Sequence, residues 1–176
     1  MIGEETAAAF VARRLREEAP SFVESFLGKD TALVPVPRSS LQRPGALWPA
    51  LEIANELHRC GFGSGVLRCL LRKSPVNKAA LAEAKERPRA GDHAESLELI
   101  DALAIPAKLT LVDDVITRGA QLVGAARCIW VARGDIEVRA FAVIRTMSAP
   151  TDFAQILAPC EGTVSLRRSG DCVRSP

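Results

Sequence analysis

The chain contains no tyrosine and only two histidines and two methionines in 176 residues. With six phenylalanines and two tryptophans as its whole aromatic set, it has few side chains for an aromatic grip on a nucleobase. No apolar run approaches the roughly 20 residues that a membrane span needs. Glu4 and Glu5 stand where a secretory leader would place basic residues ahead of an apolar stretch, so neither anchor nor leader is expected. An excess of one charge is also missing. The 23 basic and 21 acidic side chains leave +2, too little to mark a nucleic-acid or lipid surface. Cysteine pairs at metal or redox spacing are absent. Cys60, Cys69, Cys128, Cys160 and Cys172 contain no C-x-x-C, and their odd number leaves one without an intramolecular partner. They read as reduced thiols of a cytoplasmic protein, packed as small hydrophobes, with no structural metal among them. No internal repeat is visible.

What is present is the balance of an ordinary globular protein, 48% hydrophobic and 25% charged, in a length that suits one domain, residues 1–176. An N-terminal helical region is expected within residues 1–30, its apolar residues at helical steps over 6–27 and its course interrupted at Pro20. Residues 32–37 read as a buried strand running into a proline-marked loop. A helix is expected over 47–60, stopped by Gly61, Gly63 and Gly65, and a short strand over 66–71. Residues 72–96 are dense in charge with scattered apolar groups, and read as a solvent-facing excursion with helix around 79–86, a candidate hood or lid. Residues 108–112 form the clearest buried strand, 113–118 a loop, 119–132 a helix and 136–144 a further strand. This order predicts an α/β fold with an open, mainly parallel sheet flanked by helices. The core spans 31–145, and the C-terminal segment 146–176 shows only weak periodicity.

The stretch Leu109-Thr110-Leu111-Val112-Asp113-Asp114-Val115-Ile116-Thr117-Arg118-Gly119-Ala120 carries the functional argument. A buried strand delivers two adjacent carboxylates, which can accept hydrogen bonds from sugar hydroxyls or hold a hydrated Mg²⁺. A hydroxyl and a glycine then precede a helix, whose first N–H groups and dipole favour a phosphate. Gly119 allows close backbone approach. The competing reading makes Asp113 and Asp114 solvated turn residues and Thr117 a helix cap. The joint occurrence of all these features favours anion binding at the carboxyl end of a strand.

This segment resembles the phosphoribosyl pyrophosphate (PRPP) loop of type I phosphoribosyltransferases, and is most similar to the ComF-type, amidophosphoribosyltransferase-like group. Residues 33–40, Leu-Val-Pro-Val-Pro-Arg-Ser-Ser, resemble that family's pyrophosphate loop. The resemblance implies a Mg²⁺-dependent transfer of phosphoribosyl from PRPP to a small-molecule acceptor. Asp113 and Asp114 would be the catalytic pair that meets the ribose hydroxyls and the metal, directly or through water. Thr117, Arg118, Gly119, Ala120 and Gln121 would hold the 5-phosphate, and Pro37, Arg38, Ser39, Ser40 and Lys78 the pyrophosphate. Arg72 and Lys73 are weighed evenly between the same role and unliganded surface charge, and His93 is a further residue that could meet substrate. Trp48 and Trp130 are expected to pack. Arg118 and Gln121 depart from the family's usual threonine and hydroxyl residue, which motivates an alternative: a non-catalytic regulatory module that binds a phosphoribosyl ligand. Neither reading calls for nucleic acid or membrane as partner, and both leave room for a homo-oligomer.

Overall fold

The computed structural model of the chain describes residues 5–18, 20–76, 87–102, 105–146 and 159–175. Its centre is a four-stranded, all-parallel sheet in the order β2-β1-β5-β6, built from β1 (Ala32–Pro35), β2 (Gly65–Val66), β5 (Lys108–Ile116) and β6 (Glu137–Arg145). Both faces of the sheet are covered, which explains why β1 and the first half of β5 read as continuous apolar runs rather than alternating ones. Ala32, Val34, Leu109 and Leu111 turn to one side, where they pack with Leu122, Ala125, Ala126 and Ile129 of α5 (Ala120–Ala132). Leu33 and Val112 turn to the other, against Ile53, Ala54 and Leu57 of α3 (Pro49–Arg59) and Leu27 of α2 (Val23–Leu27). Each fully buried valine, leucine or isoleucine among them contributes roughly 1.5–3 kcal/mol of transfer free energy. The N-terminal region is two helices, α1 (Ala7–Glu18) and α2, on either side of Pro20, since proline removes a helical hydrogen bond.

The topology fixes where a ligand can enter. From β1 the chain crosses through α3 to β2 on one side, and from β5 through α5 to β6 on the other. Neighbouring strands whose connections leave in opposite directions open a crevice beyond their carboxyl ends, and here those strands are β1 and β5.

Several expectations require correction. Residues 66–71 are not one strand. β2 ends at Val66, and β3 (Leu70–Arg72) pairs antiparallel with β4 (Leu97–Leu99) in a separate two-stranded sheet. The excursion 72–96 is therefore not solvent-facing throughout: Arg72, Ala90, His93 and Ser96 are buried, the latter three on or beside α4 (Ala90–Glu95), which lies against α5. Its helix around 79–86 lies outside the described residues. The loop expected at 113–118 is shorter, because β5 continues to Ile116 along β6, with Asp113 beside Ala142 and Val115 beside Ile144. The C-terminal segment forms an antiparallel pair, β7 (Thr163–Leu166) and β8 (Cys172–Ser175). No helix among the described residues is long and apolar enough to cross a membrane.

Candidate functional site

β1 leaves the sheet one residue after its last paired position, with the Val36 N–H donating to the Val112 carbonyl at 2.9 Å. Beyond that point β5 runs on with only β6 beside it, so Asp113 and Asp114 emerge where β1 has ended. A cleft of about 250 Å³ lies there, with Arg38 and Ser39 on one wall and Asp113, Asp114 and Gln121 on the other. Trp48 and the first residues of α3, Pro49 and Ala50, close it. Two helix amino ends, those of α3 and α5, thus meet the same space. The N–H groups of Ala120, Gln121 and Leu122 have no partner within their helix, whose first full-turn bond is Val123 N–H to Gly119 at 2.9 Å.

Asp113 is 6% exposed. Its Oδ1 accepts from the Asp114 N–H at 3.0 Å, and the Gln121 Nε2 donates weakly to its Oδ2 at 3.4 Å and to the Pro37 carbonyl at 3.5 Å. Burial, reinforced by the neighbouring Asp114 carboxyl, holds the Asp113 pKa well above the ordinary carboxylate range, with Arg72 pulling it back only in part. The Asp114 Oδ1 accepts from the Val115 N–H at 2.9 Å. No third acidic, histidine or cysteine side chain completes a metal-binding group among the described residues. Two carboxylates without further protein ligands are a poor cage for a tightly held cation. They fit Mg²⁺, which keeps its waters and shares its coordination with substrate oxygens.

The fold brings five of the expected site residues, Arg38, Ser39, Asp113, Asp114 and Gln121, onto one cleft. Pro37 adjoins it through its carbonyl, and Ser40 is half-buried outside the lining. Thr117, Arg118, Gly119 and Ala120 sit beyond the lining at the start of α5. Lys78 lies outside the described residues. Gly119 has φ 84° and precedes the helix in the left-handed region. A Cβ there would come within 2.7 Å of Val164, so the C-terminal hairpin presses on the loop. Arg118 also approaches this hairpin, closely enough to oppose the upward push of burial on the Cys172 thiol. Gln121 turns its amide to Asp113 and Pro37, which ties the acidic wall to the loop after β1. The Arg38 guanidinium donates to the Leu47 carbonyl at 2.8 Å.

Other side chains differ from their sequence reading. Arg72 is 3% exposed and is neither surface charge nor part of the cleft lining. Lys73 is exposed. His93 does not reach the cleft. It is buried against Gly124 of α5, its Nδ1 lacks a partner among the described residues, and burial together with Arg72 pushes its pKa down to about 4. Trp48 packs as expected, its Nε1 donating to the Val36 carbonyl at 2.9 Å, and its wall role was not signalled by the sequence. Trp130 is more exposed, at 44%. All five cysteines are free, but only Cys69 and Cys172 are buried, and Cys160 is exposed.

Compared with known proteins, the chain matches no family model, no curated protein and no solved structure. The fold and site define an α/β protein with a four-stranded parallel sheet and an acidic cleft at its switch point.

Proposed function

We propose that the chain is a cytoplasmic, Mg²⁺-dependent phosphoribosyltransferase of type I fold, nearest the ComF-type group, that transfers phosphoribosyl from PRPP to a small-molecule acceptor. The observation that carries this reading is the convergence on one switch-point cleft of the acidic pair, the loop after β1 and the amino ends of α3 and α5. Such a cleft suits a ligand with a neutral, hydroxyl-rich centre between two anionic ends. The ribose diol faces Asp113 and Asp114. The 5-phosphate rests on the loop Thr117, Arg118, Gly119, Ala120 and on Gln121, at the start of α5. The pyrophosphate lies along Pro37, Arg38, Ser39 and Ser40, with Lys78 as an additional cation.

In the reaction, a lone pair of the acceptor forms a bond to the anomeric carbon as its bond to pyrophosphate oxygen breaks, and pyrophosphate leaves with that electron pair. Positive charge grows on the ribose ring and negative charge on the leaving group. Carboxylates beside the ring offset the first, while Arg38 and the α3 amino end offset the second. Mg²⁺, when bound, adds charge neutralisation at the pyrophosphate. No covalent nucleophile is required, and orientation supplies much of the acceleration.

The engaged state of the cleft's own groups supports a second reading, a non-catalytic phosphoribosyl-binding module. Arg38 is bonded to Leu47 and Gln121 leans on Asp113, so the pocket could hold a sugar phosphate without completing the charge on a leaving group. Assaying pyrophosphate release from PRPP and Mg²⁺ with a panel of bases, amines and ammonia separates the two. Release assigns the transferase, and tight binding without release assigns the module. Absence of binding for both PRPP and ribose 5-phosphate at millimolar concentration would overturn both.

A further inference from the structure

A buried arginine links the second sheet to the cleft loop of the first. Arg72 ends β3, and each of its three guanidinium nitrogens donates a hydrogen bond. Nε donates to the Arg38 carbonyl at 2.8 Å, Nη2 to the Pro37 carbonyl at 3.1 Å and Nη1 to the Ser96 hydroxyl. Ser96 in turn donates to the His93 carbonyl at 2.8 Å. The cluster is thus fastened to α4 behind it.

Two consecutive loop carbonyls therefore point at one fixed cation. No peptide bond among the described residues is cis, and in a trans peptide the N–H points opposite to the C=O of the same plane. The plane holding the Pro37 carbonyl carries the Arg38 N–H, and the plane holding the Arg38 carbonyl carries the Ser39 N–H. Both N–H groups are consequently turned away from Arg72. Neither has a recorded partner among the described residues. Arg38 and Ser39 line the cleft, whereas Arg72 does not.

We propose that Arg72 is a positioning residue for anion recognition: by drawing in the Pro37 and Arg38 carbonyls, it turns the Arg38 and Ser39 N–H groups outward as a paired donor for the pyrophosphate group of the substrate. This rests on the phosphoribosyl reading for the identity of the anion, but not for the orientation of the loop. The fork of arginine is essential, because a lysine ammonium cannot span two carbonyls and a hydroxyl in one plane.

The test compares wild-type protein with Arg72→Lys by calorimetry, using PRPP, inorganic pyrophosphate and ribose 5-phosphate, each with Mg²⁺. Affinity for PRPP and pyrophosphate is expected to fall about tenfold or more, as two charge-directed hydrogen bonds are misaimed, while ribose 5-phosphate changes less than about twofold. An equal loss for all three ligands, or no loss for any, overturns the positioning role and leaves the phosphoribosyl reading intact. In the wild-type protein, the amide resonances of Arg38 and Ser39 should shift on adding pyrophosphate, a measurement that does not depend on the variant folding. Shifts there without binding of either PRPP or ribose 5-phosphate would uphold the paired donor and sink the phosphoribosyl reading. No shift at either amide on saturation with pyrophosphate sinks the proposal.

Discussion

The two ends of the parallel sheet present opposite faces to a ligand. At the amino ends of β5 and β6 lies the larger hollow, about 470 Å³, with Asp30, Lys108, Glu137 and Arg139 in its walls. Its cations are already matched: Lys108 to Asp30 at 2.6 Å, and Arg139 to Glu137 at 2.7 Å, with further bonding to the Ser25 carbonyl and a place over the Phe26 ring. The carboxyl-end cleft has about half that volume, yet it holds a buried carboxyl whose partners are only the adjacent Asp114 N–H and a weak Gln121 amide, and several N–H groups without partners among the described residues. Size does not mark the site. A surface whose cations are already paired has little left to offer an anion, whereas buried groups kept in deficit can be completed by a ligand.

The sharpest way to break this contrast is to remove both carboxylates. Asp113→Asn with Asp114→Asn should weaken Mg²⁺-dependent PRPP binding by about a hundredfold to ten-thousandfold, since two charged hydrogen-bonding groups are lost, while cooperative melting persists. Unchanged affinity by calorimetry would remove the ribose and metal role. Next in size is the loop proposed to hold the 5-phosphate. Thr117→Val should cost about five- to a hundredfold in affinity for both PRPP and ribose 5-phosphate if its hydroxyl bonds a sequestered anion; a loss confined to PRPP would move the 5-phosphate elsewhere.

A third prediction concerns the stability that the cleft gives up. The Asp113 carboxyl has a higher pKa folded than unfolded, where it is near 3.9, so between those values the native state binds more protons and ΔG of unfolding declines as pH rises. Asp113→Asn escapes this loss. In Mg²⁺-free buffer its melting temperature should gain on the wild type as pH climbs from about 4 toward neutrality. A difference that stays flat with pH would mean that Asp113 is better solvated than its position implies. The smallest effect belongs to the other end. Lys108→Ala breaks an exposed ion pair of the kind that contributes little, so it should leave PRPP affinity unaltered. A clear loss there would overturn the comparison and bring the amino-end hollow into the functional site.

The strand, acidic pair, glycine and helix over 108–132 were legible because burial on both sheet faces writes an unbroken apolar run, and a left-handed residue before a helix writes a glycine. The length of β5 was not legible. Its extension through Asp113 and Asp114 depends on β6 continuing to Arg145, a property of the partner rather than of those residues. The burial of Arg72, weighed evenly between a pyrophosphate role and surface charge, was not legible for a related reason. In a charge-rich segment a basic residue looks solvated, and the carbonyls that justify its burial belong to residues 37 and 38. The β7–β8 hairpin, held by backbone pairing between mostly exposed or half-buried residues, left only a weak periodic signal.

That hairpin makes the loop proposed to hold the 5-phosphate difficult to transplant. The Gly119 backbone passes so close to Val164 that the space beside it is shaped by the C-terminal segment as much as by the ligand, and Arg174 donates to the carbonyls of Ile116 and Thr146 on either side. Grafting residues 108–132 onto another parallel sheet would carry over every chemical group of the motif but none of the surface against which its glycine is seated. A minimal donor for such a graft has to extend through Ser175.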